Sequence, residues 1–154
     1  MVKRLSEMPE VEANHLRRIE CPIYEDTPLL AGKPLGERRV AIISTAGLHR
    51  RSDRAFRPGD GSYRVIPGET PANELVMSHI SVNFDRTGFQ QDLNVVFPID
   101  RLRELSADGA VGSMASVHYS FMGAFPPDAA KPHAQHLAGL LKADKVDAVL
   151  LVPV

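Results

Sequence analysis

KVDAVLLVPV, Lys145 to Val154, is the stretch on which the fold reading turns. Val146, Ala148, Val149, Leu150, Leu151 and Val152 make an apolar run too short for a comfortable helix, and it reads as a buried parallel strand. Ligands of open α/β sheets gather beyond the carboxyl ends of the strands, so the residues after Val152 face a working edge. A central strand also wants a following element to cover it. The stretch is therefore expected at a sheet edge, or in the front part of a longer polypeptide.

Working outward, Ala129 to Ala143 reads as a helix with Leu137, Leu140 and Leu141 toward the sheet. His133 and His136 are three apart on it and could touch one metal, but without an acidic or cysteine companion they read as solvent-facing. Val111 to Ser120 reads as a strand whose end, His118-Tyr119-Ser120-Phe121-Met122-Gly123, flows into a glycine. Between Gln91 and Gly109, Pro98 suits a first helical turn, Ile99, Leu102 and Leu105 mark an apolar face, and Gly109 stops the helix. Asp92 and Asn94 lie ahead of that helix, where capping and substrate orientation explain them equally well.

Val40 to Ser44 is the first strand, and it opens into Thr45-Ala46-Gly47. Gly47 permits a positive φ or a close ligand approach, and His49 follows with Arg50, Arg51, Asp53 and Arg54 behind it. A lone glycine is no dinucleotide fingerprint, and a solvated basic loop is the plain alternative. From Arg57 to Asn73 the chain is rich in Pro, Gly and Asp, with an extended piece at Ser62 to Ile66 that contains Arg64. Leu75 to Ile80 is a further possible strand ending in Ser78-His79, and Asn83, Asp85 and Gly88 mark another loop. Residues 1–38 read as an arm: Val11, Leu16 and Ile19 form a short helical stripe, then Pro22, Pro28 and Pro34 prevent its continuation.

The order predicts an α/β fold, a three-layer domain over 39–154 with a mainly parallel sheet, an irregular insert and an extended N-terminal arm. Thr45 to His49, His118 to Gly123 and Val154 should emerge on one edge, with His49 and His118 close to Val154. A chain of 154 residues with 44% hydrophobic content supports one core. A net charge of -1 gives no electrostatic case for nucleic acid or an acidic membrane surface. The single cysteine, Cys21, precludes an intrachain disulfide and reads as a semi-buried thiol, in keeping with a reducing cytoplasm. No run approaches the ~18 apolar residues of a membrane span.

VAIISTAGLH (Val40 to His49), GDGSYRVIPGETP (Gly59 to Pro71), MSHISVN (Met77 to Asn83), QDLNVVFPIDRLREL (Gln91 to Leu105), VHYSFMG (Val117 to Gly123) and VDAVLLVPV (Val146 to Val154) together resemble the selenoprotein B family of glycine, sarcosine and betaine reductases and D-proline reductase. The resemblance implies reductive cleavage of a carbon–nitrogen bond in a small amino acid or amine, with a dithiol as electron donor. It also implies a pyruvoyl-bearing partner subunit within an oligomeric assembly. A selenocysteine or cysteine nucleophile is expected just after Val154, at a codon read as stop, so the 154 residues alone should fold without catalysing reduction. His49, His118 and His79 are the candidate catalytic groups; Gly47, Arg64, Asp92, Asn94 and Met122 are the candidate substrate contacts.

Two other classes fit the residues. A metal-dependent hydrolase or lyase could use His49, His79, His118 and Asp92 as ligands, and a non-catalytic binding or assembly subunit could dock through the proline-rich arm. A cysteine-pair racemase is disfavoured because Cys21 stands alone.

Overall fold

Strand β1 (Arg39–Ser44) is the axis of the molecule. Its residues are apolar on both faces because both faces are covered, which is the pattern of a parallel strand inside an α/β sheet. The computed structural model describes residues 4–19, 23, 25, 29–81 and 86–154; Cys21, Pro22, Pro28, Asn83 and Asp85 lie outside the described residues. The chain divides into two compact units, Met1–Leu30 and Ala31–Val154. The first carries helix α1 (Glu10–Arg17). The second carries strands β1, β2 (Leu48–Arg50), β3 (Tyr63–Pro67), β4 (Leu75–Met77), β5 (Ser113–Met114), β6 (Val117–Phe121) and β7 (Ala148–Val152). Among them run helices α2 (Thr87–Gln91), α3 (Ile99–Ala107) and α4 (Pro127–Ala143).

The main sheet places β7 on one side of β1, β5 and β6 on the other, and β3 beyond β6. β5, β6 and β7 are parallel to β1, whereas β3 is antiparallel to β6, so the sheet is mixed but mainly parallel, an α/β fold. The piece Leu75–Met77 does not join it; it pairs antiparallel with β2 in a separate ribbon.

Each face of the sheet has its own core. Val40 and Ile42 meet Phe97, Ile99 and Leu102 on the α3 side, and Tyr119 and Phe121 meet Leu137 on the α4 side. The α3 entry is built locally: Asp92 accepts the Asn94 N–H at 2.9 Å, and Asn94 Oδ1 accepts the Asp100 N–H at 3.0 Å. Arg39 ties the layers together, donating to Met114 O at 2.6 Å, Ser116 Oγ at 2.8 Å and the Asp144 carboxylate at 2.8 Å.

The expected strand over Val111 to Ser120 is broken. Val40 faces Met114 and Ile43 faces Tyr119, so β1 advances three residues while its neighbour advances five. The two extra residues form a bulge, which re-aims the side chains around it. His118 turns into the gap, and its Nδ1 accepts the Ile42 N–H at 2.9 Å.

β7 is parallel to β1 as its apolar run predicts, but it is not buried. Leu150 is 42% exposed and Leu151 67%. Among the described residues β7 pairs with β1 alone. An apolar groove of about 300 Å3 runs between Leu151 and Ile43 on the sheet and Ala134, Leu137 and Leu141 on α4. No helix among the described residues is long and apolar enough to cross a membrane.

Candidate active site

The carboxyl ends of the parallel strands are laced together by short hydrogen bonds. After β1, the Thr45 N–H donates to Val152 O at 3.1 Å, and Thr45 Oγ1 accepts the Val154 N–H at 2.8 Å, fixing the end of β7. The Gly47 N–H donates to Phe121 O at 2.7 Å, and Gly47 O accepts the Ser78 N–H at 2.9 Å. The exits of β1, β4, β6 and β7 are therefore one connected edge.

Two glycines make this edge possible. Gly47 has φ 68°, and a Cβ there would lie 2.8 Å from the His79 backbone nitrogen. Gly123 has φ 85°, and a Cβ there would lie 2.6 Å from Thr45 O and 3.2 Å from His79 Nε2. Both positions combine a left-handed backbone with a contact that no side chain tolerates. The His79 imidazole thus sits against Gly123 beside Thr45. Its Nδ1 accepts the Ser81 N–H at 3.2 Å, which leaves the proton on Nε2. Burial, helped by the Arg86 charge, holds its pKa below the ordinary histidine value.

His49 is held differently. Its Nδ1 lies 2.8 Å from Arg50 O, which can only accept, so the proton is on Nδ1 and Nε2 is left to meet the Ser78 hydroxyl at 2.6 Å. His49 therefore supports the segment that carries His79. His118 is fully buried beneath the edge, edge-on to Phe97 at 5.9 Å, and its Nε2 has no hydrogen-bond partner among the described residues. Burial, with smaller contributions from Arg103 and Arg39, lowers its pKa to about 4. His49 and His118 are held by different partners: His49 by Arg50 O and the Ser78 hydroxyl, His118 Nδ1 by the Ile42 N–H.

The candidate substrate contacts are also dispersed. Gly47 belongs to the edge. Met122 is buried next to Gly123, its sulfur 3.3 Å from the Ala124 N–H. Asp92 is engaged in capping the turn Leu93–Val95, and Asn94 in accepting from the first turn of α3. Arg64 donates to Asp60 at 2.9 Å and to Arg54 O at 2.8 Å, and lies 4.1 Å over the Phe56 ring, so it braces its own loop. His136 Nδ1 pairs with the Tyr63 hydroxyl at 2.9 Å. Among the described residues no group of three or more His, Cys, Asp or Glu could hold a metal ion. Thr45 was not singled out as a site residue by sequence, although a hydroxyl residue directly between a strand end and a glycine is the signal that marks it.

Residues 61–154 match the family described as glycine/sarcosine/betaine reductase selenoprotein B (GRDB). The chain is 35% identical over 122 residues to the D-proline reductase subunit gamma of Acetoanaerobium sticklandii, covering 77% of this chain and 50% of that protein. It is 39% identical over 146 residues to the glycine reductase complex component B subunit gamma of Carboxydothermus hydrogenoformans, covering 90% of this chain and 33% of that one. A sarcosine reductase complex component B subunit beta of Peptoclostridium acidaminophilum is 27% identical over 136 residues, covering 84% of this chain and 31% of that one. The chain spans half the length, or less, of these curated relatives. No solved structure gives a significant match. With a family match over more than half its residues, the chain belongs to the glycine/sarcosine/betaine reductase selenoprotein B family.

Proposed function

We propose that this chain supplies the active-site edge of a reductase subunit that cleaves a carbon–nitrogen bond in a small amino acid or amine. In that reaction the carbon and the nitrogen each gain a hydrogen, and a dithiol donor is oxidised to a disulfide. The observation that carries the reading is the convergence of the β1 and β6 exits on His79 through Gly47 and Gly123, with the β7 exit tied to the same edge by Thr45. Family membership supports the reaction class, and the relatives' names as complex components support a multi-subunit assembly.

The selenocysteine or cysteine expected after Val154 would supply the nucleophile. The residues present fit such a group, because Thr45 holds the Val154 N–H and the His79 Nε2 proton lies at the same edge. Thr45 fixes the direction in which β7 leaves the sheet. His79, its pKa lowered by burial, would present its Nε2 proton to that group. A pyruvoyl group on a partner subunit would supply activation of the substrate amine.

The test is dithiol-dependent amine release with the pyruvoyl partner. It compares the 154-residue chain with a version extended past Val154 by reading the next codon as cysteine or selenocysteine. Release by the extended version only is expected, reduced about 100-fold or more by His79→Ala. Equal rates from both versions would sink the reading.

A further inference from the structure

The loop leading into β3 lines an open cavity of about 410 Å3 walled by Arg54, Arg57, Asp60, Ser62 and Arg64. Its one carboxylate is fully engaged. Asp60 Oδ1 accepts the N–H and the hydroxyl of Ser62, and Oδ2 accepts from Arg64 at 2.9 Å. Burial works against Asp60 ionisation, but the hydrogen bonds from Ser62 and Arg64 outweigh it and hold the pKa below the usual carboxylate value. Arg64 and Asp60 neutralise each other and form a braced floor. Arg54 and Arg57 make no ion pair among the described residues, so three guanidinium groups face one carboxylate and the wall carries excess positive charge.

We propose that this cavity binds a carboxylate, with Arg54 and Arg57 as the cations that receive it. A planar guanidinium presents paired donors that match a carboxylate. A monoanion suits two cations beside a fixed Asp60 better than a phosphate dianion, which that carboxylate repels. The position is equally telling. β3 runs antiparallel, and Tyr63 at its start pairs with Phe121 at the end of β6. The cavity therefore opens at the same sheet edge as Gly123 and His79. Resting on the reductase reading, the anion is the carboxylate of the amino-acid substrate, held at the β3 side of the edge.

The test is titration of the 154-residue chain with sodium acetate at constant ionic strength, following the Gly59, Gly61 and Ser62 amides by heteronuclear NMR. Saturable shifts are expected, weakened roughly tenfold or more in the Arg54→Gln/Arg57→Gln variant and unchanged in Arg101→Gln. Shifts that fail to saturate, that persist in the double variant, or that chloride reproduces would overturn the site. Tighter saturation by inorganic phosphate at these amides would overturn the carboxylate assignment. In the extended reductase with its partner, Arg57→Gln should raise KM for the carboxylate substrate about tenfold and leave kcat nearly intact. An unchanged KM would overturn the substrate assignment. A wild-type complex without turnover would count against the reductase reading alone, since the acetate titration judges the cavity independently.

Discussion

β1 and β7 lie side by side in register from Val40–Ala148 to Ser44–Val152, and both are mostly aliphatic. Ile42 has no exposed surface, whereas its register partner Leu150 is 42% exposed and Leu151 reaches 67%. The difference shows that an apolar run decides where a strand pairs, while its burial is decided by what occupies the other edge and the two faces. β1 has strands on both sides and a helix layer over each face. β7 has β1 on one side, and α4 leaves a groove over it. An exposed apolar edge is also a surface for association.

The sharpest way to break this contrast is truncation at paired positions. Ile42→Ala should cost about 3 kcal/mol, whereas Leu150→Ala across the ladder should cost under about 1 kcal/mol. Urea midpoints of the two variants check this, and similar losses would mean that β7 is as enclosed as β1.

A second handle comes from the opposite neighbour of β1. The His118 pKa falls from 6.5 to about 4 on folding, so between those values the unfolded chain binds a proton that the folded chain refuses. The His118 contribution to stability should therefore be level above pH 6.5 and fall as pH drops toward 4, by roughly 3 kcal/mol. His118→Asn, which keeps an acceptor near the Ile42 N–H, should remove that share of the loss and leave the one from His79, whose pKa is also lowered. Denaturation at stepped pH reads both effects.

Gly123→Ala should destabilise by about 1–3 kcal/mol, because it adds a Cβ 2.6 Å from Thr45 O at φ 85°. The same variant should shift the His79 ring resonances, since that ring is the second contact. Thr45→Val should cost about 1 kcal/mol by removing the acceptor for the Val154 N–H, and should speed hydrogen exchange at that amide. Leu151→Lys, on the exposed side of the comparison, should move the midpoint by under ~0.5 kcal/mol.

The same contrast explains what the sequence could and could not convey. β1, α3, α4 and β7 were legible because apolar spacing and Pro98 or Gly109 punctuation act locally. The break between β5 and β6 was not, since the two extra residues exist only when counted against β1. Nor was the direction of β3, or the pairing of Leu75–Met77 with β2, because both depend on partners distant in sequence. At the candidate site, Gly47 was legible as a glycine at a strand end. The destinations of the charged groups were not: Arg64 could as well reach a ligand as Asp60, and Asn94 could as well orient a substrate as cap a helix. Side-chain geometry alone separates those outcomes.

The reversed direction of β3 also bears on how this scaffold can be re-engineered. In a uniformly parallel sheet only the loops that follow strands reach the working edge. Here the segment preceding β3 reaches it as well, with both of its ends anchored, at β2 and at Tyr63. Residues 51–62 can therefore be exchanged between those anchors while β1, β6 and the glycines around His79 stay untouched.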